Sequence, residues 1–143
     1  MTGHGAYDLH ASLGYQLTIT ARIQQRRLER QLRTLGLTQA GWRILLAVAS
    51  DGFTSLPAIA GYAGAGRIAT ARALRWMQRD GLVERGDGDG QAKGPHYRLT
   101  ESGRATIAAA TPMAEASDAV MADILGHDDM AELKRLLTRL RQG

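Results

Sequence analysis

Apolar side chains recur every three or four residues over most of this chain, the spacing that places them on one face of an α-helix. The first such stretch predicts a long helix from Tyr7 to Gly36, with Leu9, Leu13 and Leu17 on one face and arginines on another. A helix of this length is unusual inside a compact domain. It indicates that this part of the chain packs against another chain.

Shorter helices are predicted next. Thr38 is a good N-cap for a helix that runs to about Ser50. Ser55 can cap the following helix, which covers Leu56 to about Ala63 and ends in a glycine-containing turn.

The stretch after this turn predicts a basic helix followed by a strand. Leu74 and Met77 lie three residues apart and share one face, which predicts packing on a core. The helix is expected to stop at Asp80-Gly81, and the strand to cover residues 82–85. The helix carries four arginines and no acid before Asp80: Arg67, Arg72, Arg75 and Arg79. A short helix, a tight turn and a second, basic helix form the helix-turn-helix pattern.

The residues after this strand predict a β-hairpin. A glycine-rich run from Gly86 to Pro95 separates the strand from a second β-like stretch, residues 96–100. A hairpin directly after a helix-turn-helix is a wing. Asp87 and Asp89 do not indicate a calcium loop, because its third oxygen ligand, its central glycine and its closing glutamate are missing.

Further helices are predicted in the C-terminal part. Thr100 is expected to cap the first of them, and Pro112 to kink or break it. Residues 126–129 are expected to form a loop in which Asp128 or Asp129 caps the last helix. That helix has an apolar seam suited to packing on another helix: Met130, Leu133, Leu137 and Leu140.

Charge is distributed unevenly along the chain. The formal net charge is +4, but residues 22–85 carry eleven arginines and four acidic side chains, whereas residues 101–143 carry five basic and seven acidic ones. Concentrated positive charge indicates a polyanionic partner for the first region. The absence of cysteine excludes disulfides, thiol nucleophiles, thiolate metal sites and thiol-based redox sensing. No signal peptide or membrane span is predicted, so a cytoplasmic location is the expectation.

This order of elements resembles the MarR family of winged-helix transcriptional regulators over about residues 9–141. The resemblance implies a mainly α fold with a small β-hairpin wing. Residues 37–100 would form a winged helix-turn-helix lobe, and residues 7–36 and 101–143 would supply dimerisation helices. The motifs that carry the resemblance are Leu37-Thr38-x-x-x-Trp42-x-x-Leu45, Ile59-Ala60 with Gly64, Arg67 and Arg72, Gly81-Leu82-Val83-x-Arg85, and Leu99-Thr100-x-x-Gly103.

The resemblance also implies a function. Members of this family are homodimers that bind pseudo-palindromic double-stranded DNA, usually as repressors, and many release DNA when a small, often aromatic, acid binds. Their two recognition helices reach successive major grooves about 34–36 Å apart. No cofactor is implied. A winged-helix protein-interaction module that does not bind DNA is the alternative.

By this resemblance, Ile68, Ala69, Ala71 and Arg72 lie on the groove side of the recognition helix. Arg72 is the best candidate for bidentate hydrogen bonds to a guanine, or for a clamp on a phosphate. Ile68 and Ala71 can only touch a thymine methyl group or leave room for the DNA backbone. Phosphate contacts are expected from Ser55, Arg67, Arg75 and Arg79. For the last two, a solvated surface or pairing with nearby acids is an equal alternative.

The chain departs from the family pattern in the wing and in the recognition helix. The family's wing usually carries an Asp-x-Arg motif whose arginine enters the minor groove, whereas Lys93 is the only basic residue at this wing tip. Minor-groove contact is therefore expected to be weaker, or shifted to His96 or Arg98. Thr70 lies where an aliphatic residue is usual, which weakens the packing of the helix. Because few groove-side residues can hydrogen-bond, specificity is expected to depend partly on DNA shape.

Other functions have less support in the sequence. The four histidines lack metal-ligand spacing and no nucleophile or P-loop motif occurs, so no enzyme is expected. A zinc site made by His4, Asp8 and His10 is an alternative to solvated histidines. The helical spacing of Trp42 favours a ring that packs in the core over a ring that stacks on a ligand. The family's layout nevertheless places an effector pocket near His10, Tyr15, Trp42 and Arg43.

Overall fold

The structure, a computed structural model, describes residues 5–50, 54–87 and 94–143. The predicted fold class, mainly α with a small β-hairpin in a winged helix-turn-helix, is confirmed. The chain divides into two compact units, residues 29–115 and residues 1–28 with 116–143. The elements in chain order are a 3-10 turn Leu9–Ala11, α1 Leu13–Arg33, α2 Gln39–Ala49, α3 Leu56–Ala63, α4 Arg67–Arg79, β1 Val83–Asp87, β2 Pro95–Leu99, α5 Glu101–Leu125 and α6 His127–Gln142.

The 29–115 unit contains a hydrophobic core. Helix α2 packs against α3, α4 and β2, and α4 also packs against β1. Because helices and strands all contribute to it, one core supports both the helix-turn-helix and the hairpin. The largest fully buried apolar side chains are Leu32, Leu37, Ile44, Leu45, Ile59, Leu74 and Met77.

The helices of this unit begin at the predicted caps. Thr38 Oγ1 accepts a hydrogen bond from the Gly41 N–H at 3.0 Å and caps α2. Ser55 Oγ accepts one from the Ala58 N–H at 3.4 Å and caps α3. Both oxygens satisfy a backbone donor that the first helical turn leaves without a partner. The two predicted helix starts are confirmed.

Helix α4 ends at the predicted position. Gly81 has a φ of 76°, in the left-handed region that favours glycine. The N–H of Gly81 donates to the carbonyl of Gln78, and the N–H of Leu82 donates to the carbonyl of Met77. These two hydrogen bonds form the Schellman motif, which satisfies the last carbonyls of a helix and turns the chain away from it.

The hairpin is antiparallel, with Val83 opposite Leu99 and Asp87 opposite Pro95. Strand β1 starts one residue later than predicted, and β2 starts one residue earlier and ends one residue earlier. Such shifts are expected because strand ends depend on pairing with the partner strand rather than on local sequence.

Thr100 and Gly103 join the hairpin to α5. Thr100 Oγ1 donates to the carbonyl of Gly81 at 2.6 Å and accepts from the Gly103 N–H at 3.0 Å, which confirms Thr100 as a cap. A Cβ atom on Gly103 would overlap the carbonyl oxygen of Leu82. The start of α5 therefore lies directly against the connection between α4 and β1.

The prediction of one helix over residues 7–36 is wrong at its start. Asp8 caps a separate 3-10 turn by accepting bonds from two backbone N–H groups. Ser12 is extended, and its hydroxyl bonds a backbone carbonyl before it and an N–H after it. Side chains of this kind offer the backbone partners outside a helix. Helix α1 therefore begins only at Leu13 and ends at Arg33.

The C-terminal helices also differ from the prediction. Helix α5 continues through Pro112, so the predicted break does not occur. Proline removes one N–H donor, and the helix hydrogen bonds before and after it remain. The predicted loop 126–129 is limited to Gly126, because Asp128 and Asp129 lie in the first turn of α6 and do not cap it. In that turn their charges still suit the helix dipole.

The unit formed by residues 1–28 and 116–143 exposes many apolar side chains. No residue of α6 is buried. Arg135 donates hydrogen bonds to Glu132 on this helix and holds the pKa of that carboxyl below its ordinary value. The described helices include none long and apolar enough to cross a membrane. The large exposed apolar residues of this unit are Tyr7, Leu9, Leu13, Leu17, Ile23, Ile124, Leu133, Leu136 and Leu140.

Candidate nucleic-acid interface

Helix α4 has a buried face and an exposed face. Thr70, Leu74 and Met77 are fully buried. The prediction that Leu74 and Met77 pack on the core is therefore confirmed. The opposite face carries side chains four, three and four positions apart, which share one side of a helix. These exposed residues, called the α4 stripe below, are Ile68, Arg72, Arg75 and Arg79.

The α4 stripe is strongly basic. Arg67 is also exposed at the start of the helix, and α4 contains no acidic residue. None of the ion pairs formed within the described ranges includes an arginine of α4. The positive charge of this surface is therefore available to an external polyanion such as a phosphate backbone.

The other residues predicted to face DNA in the helix-turn-helix occupy different positions. Ala69 is exposed beside the α4 stripe, whereas Ala71 is half-buried. Ser55 lies at the start of α3, where its hydroxyl oxygen caps the helix. A hydroxyl that accepts a bond keeps its own hydrogen as a donor, so Ser55 can cap α3 and still donate to a phosphate.

The wing presents one predicted contact, Arg98, and Lys93 lies outside the described residues. Arg98 is opposite Glu84 in the register, and its Nε donates to a Glu84 carboxylate oxygen at 3.0 Å. Both side chains are exposed, so water screens the pair and it adds little stability. Sequence reasoning missed this pair, because cross-strand neighbours can be assigned only when the register is known.

His96 connects the hairpin to the segment before α3. Its Nδ1 lies 3.0 Å from Thr54 Oγ1, and the Tyr97 N–H donates to the Thr54 carbonyl at 2.9 Å. Ser55 and His96 also form an isolated β-bridge. The half-buried His96 ring thus holds β2 beside the start of α3, a role that sequence reasoning did not identify.

Comparison with known proteins identifies this arrangement. No protein-family model matches the sequence, and no curated protein sequence matches it. The transcriptional regulator MosR of M. tuberculosis is 27% identical, with 94% of this chain and 96% of MosR covered and a TM-score of 0.79. A MarR-family transcriptional regulator from Silicibacter pomeroyi is 25% identical, with 93% and 90% covered and a TM-score of 0.75. In fold and in sequence, this chain is therefore similar to MarR-family transcriptional regulators.

A further solved structure agrees in fold. The transcriptional repressor CouR, solved bound to p-coumaroyl-CoA, is 23% identical over 95% of this chain and 96% of CouR, with a TM-score of 0.82. At this identity the likeness supports the fold alone. The three similar structures are described as transcriptional regulators, not as enzymes. The resemblance to the MarR family that the motifs predicted is confirmed.

The residues predicted to line an effector pocket are divided between the two units. His10 and Tyr15 belong to the unit formed by residues 1–28 and 116–143, where their ring centroids are 5.0 Å apart in an edge-to-face contact. Trp42 is buried in the core of the 29–115 unit, as expected of a core anchor. Arg43 beside it is exposed and lies 3.5 Å from Gln39 Oε1. A shared pocket of these four side chains stays a prediction.

The 29–115 unit has an open cleft of about 430 Å³ that sequence reasoning did not find. The C-terminal end of α2, strand β2 and the first turns of α5 form its walls. Arg98 and Arg104 bring positive charge to a largely apolar lining. Sequence periodicity cannot reveal such a cleft, because its walls are far apart in the chain. The lining residues are Val48, Ala49, Ser50, Thr54, Tyr97, Arg98, Leu99, Arg104 and Ile107.

The alternative zinc site cannot be assembled from the described residues. His4 lies outside them, and the Asp8 carboxylate accepts hydrogen bonds from the backbone of the 3-10 turn. Within residues 5–50, 54–87 and 94–143, no three His, Asp or Glu side chains come together in a way that could hold a metal ion.

Proposed function

We propose that this protein is a DNA-binding transcriptional regulator that binds a pseudo-palindromic operator as a homodimer. The observation that carries the proposal is the α4 stripe, three arginines on the exposed face of a helix that has no acidic residue and follows a tight turn. MosR of M. tuberculosis has been solved in complex with DNA, and that structure is 27% identical over 92% of this chain and 94% of MosR, with a TM-score of 0.76.

The chemistry of the helix fits the proposal. A guanidinium can donate two parallel hydrogen bonds to guanine O6 and N7 or to a phosphate. Arg72, one turn into the exposed face of α4, is the candidate for base recognition. Arg67, Arg75, Arg79 and the Ser55 hydroxyl are candidates for phosphate contacts, which set the register on the duplex. Lys93 and Arg98 are the candidates in the wing.

The proposal is tested by titrating a duplex from upstream of the protein's own gene at several salt concentrations. Arg72→Ala is expected to weaken specific binding by roughly 5- to 150-fold, because a bidentate base contact contributes about 1–3 kcal/mol. Arg79→Ala is expected to weaken binding to all duplexes similarly. It should also lower the slope of the logarithm of the binding constant against the logarithm of the salt concentration by about 1. Arg139→Ala, an exposed arginine of α6, is the control and should change neither.

The same titration separates the proposal from the alternative of a winged-helix interaction module. A module of that kind would bind no duplex at low salt, or would bind with an affinity that Arg72→Ala leaves unchanged. Either result would rule out the α4 stripe as a DNA-reading surface.

We also propose that the protein is cytoplasmic, that it usually represses transcription and that a small molecule regulates its binding to DNA. Two sites are candidates: the surroundings of His10, Tyr15, Trp42 and Arg43, and the 430 Å³ cleft. Arg104 is exposed on a wall of that cleft and forms no ion pair with a described residue, which favours an anionic ligand with an apolar body.

The regulatory proposal is tested with a thermal-shift screen of aromatic acids. A ligand that binds only the folded protein raises the unfolding temperature, and above its Kd the stabilisation grows with the logarithm of its free concentration. Hits are then compared between the wild type, Arg104→Ala and Arg43→Ala. A ligand whose effect is lost only in Arg104→Ala binds in the cleft. A ligand whose effect is lost only in Arg43→Ala binds at the site that includes Arg43. The absence of any hit counts against regulation by this class of ligand.

A further inference from the structure

Ile68 differs from the other large apolar residues of α4. Leu74 and Met77 are fully buried and Trp76 is half-buried, whereas Ile68 is 77% exposed in the first turn of the helix. A single exposed isoleucine is ordinary on a protein surface. Its position is the informative feature, because it lies on the α4 stripe about one turn before Arg72.

We propose that Ile68 recognises the 5-methyl group of a thymine in each operator half-site, close to a guanine that Arg72 binds. This inference rests on the proposed DNA-binding function and names the sequence class that α4 reads. The Ile68 side chain has no hydrogen-bond donor or acceptor. The thymine methyl group is the apolar feature that base pairs present in the major groove.

The spacing of the two side chains limits where the thymine lies. Residues four apart on a helix are separated by roughly 6 Å along its axis, and successive bases on one strand are about 3.4 Å apart. Ile68 and Arg72 therefore reach bases no more than about two steps apart when the helix follows the groove. The expected half-site contains a thymine within about two base pairs of a guanine.

The neighbouring residues make Ile68 the side chain suited to this contact. Ala69 is exposed but extends only one methyl group from the backbone, and Ala71 is half-buried. Thr70 between them faces the core and is fully buried. Ile68 thus has the longest apolar side chain that the first turns of α4 present to solvent.

The test removes the methyl group from the DNA and the side chain from the protein. Duplexes are first selected by the wild-type protein from a random-sequence pool, and each thymine is then replaced singly by deoxyuridine, which keeps base pairing. At one thymine per half-site, the wild type is expected to bind the deoxyuridine duplex about fourfold more weakly, as the loss of one buried methyl group predicts. Ile68→Ala should bind the thymine and deoxyuridine duplexes equally.

Arg75→Ala is the matched control. As a phosphate-contact variant it should weaken both duplexes by the same factor and keep the fourfold methyl preference of the wild type. Because Ile68 is exposed, Ile68→Ala should retain the wild-type circular dichroism spectrum and unfolding temperature, so lost preference cannot be ascribed to lost folding.

The outcomes separate this inference from the proposed function. If the wild type selects a sequence but no deoxyuridine substitution weakens it, or if Ile68→Ala keeps the methyl preference, the inference is overturned and DNA recognition stands. If the wild type enriches no sequence from the pool, the proposed function and the inference both fail.

Discussion

Thr70 has a fully buried hydroxyl group for which the structure provides no hydrogen-bond partner. The sequence already marked this position, because the MarR family usually places an aliphatic residue there. A buried hydroxyl without a partner costs about 1–3 kcal/mol of desolvation. Thr70 therefore lowers the stability with which the recognition helix packs on the core.

Thr70→Val is expected to raise the free energy of unfolding by about 1 kcal/mol, because valine keeps the shape of threonine and removes the unpaired hydroxyl. Thr70→Ser is the control and should lower it by about 1 kcal/mol, since it keeps the hydroxyl and removes a buried methyl group. Both are measured by urea denaturation at one protein concentration. A destabilised Thr70→Val protein would mean that the hydroxyl has a partner in solution.

At the scale of elements, the junction between α4, the hairpin and α5 decides where the wing lies. Thr100 bonds the carbonyl of Gly81 and the N–H of Gly103, and its own N–H donates to the carbonyl of Leu82. These bonds join the end of the recognition helix to the base of the wing. The orientation of α4 and the orientation of the hairpin are therefore coupled through a few backbone groups.

Gly103→Ala is expected to lower the free energy of unfolding by about 3 kcal/mol, because the added Cβ overlaps the Leu82 carbonyl oxygen and forces the backbone to shift. Gly61→Ala in α3 is the matched control, since that helical glycine has open space around it. It should be neutral or stabilising by about 0.5–1 kcal/mol, the helix-propensity gain of alanine. Equal effects of the two changes would show that α5 does not approach Leu82 closely.

At the scale of the whole molecule, the exposed apolar residues outside the 29–115 unit indicate a second copy of the chain. Leu133 and Leu140 on α6 are 42% and 52% exposed, and both belong to the predicted apolar seam. Apolar side chains repeated at helical spacing are commonly covered by another helix. We propose that residues 7–36 and 101–143 form the dimer and that residues 37–100 contact DNA.

The double change Leu133→Glu with Leu140→Glu is expected to give a monomer by light scattering at micromolar concentration, since it places charge in the seam. Affinity for a duplex with two half-sites should then fall to that for one half-site. Thr138→Glu with Gln142→Glu adds the same charge to exposed polar positions of α6 and should remain a dimer. Dimer formation by both proteins would place the interface elsewhere.

Features that depend on neighbouring residues could be predicted from the order of the amino acids alone. The caps at Thr38, Ser55 and Thr100 were correct because each hydroxyl bonds a backbone N–H three residues later. The helix stop at Gly81 follows from the freedom of glycine to adopt a positive φ. The motifs in their order also indicated the resemblance to MarR-family regulators that the solved structures share. The break at Ser12 was local as well, but the regular spacing of leucines on both sides of it concealed it.

Features that join distant parts of the chain could be found only in the folded protein. It paired Arg98 with Glu84, attached His96 to Thr54 and placed Gly103 against Leu82. It also separated the exposed Ile68 from the buried Thr70, two residues that differ by half a helical turn. Periodicity predicts that a helix has two faces, but which face is covered depends on the elements that pack against it. In α4, that packing leaves one isoleucine and three arginines on the surface proposed to read DNA.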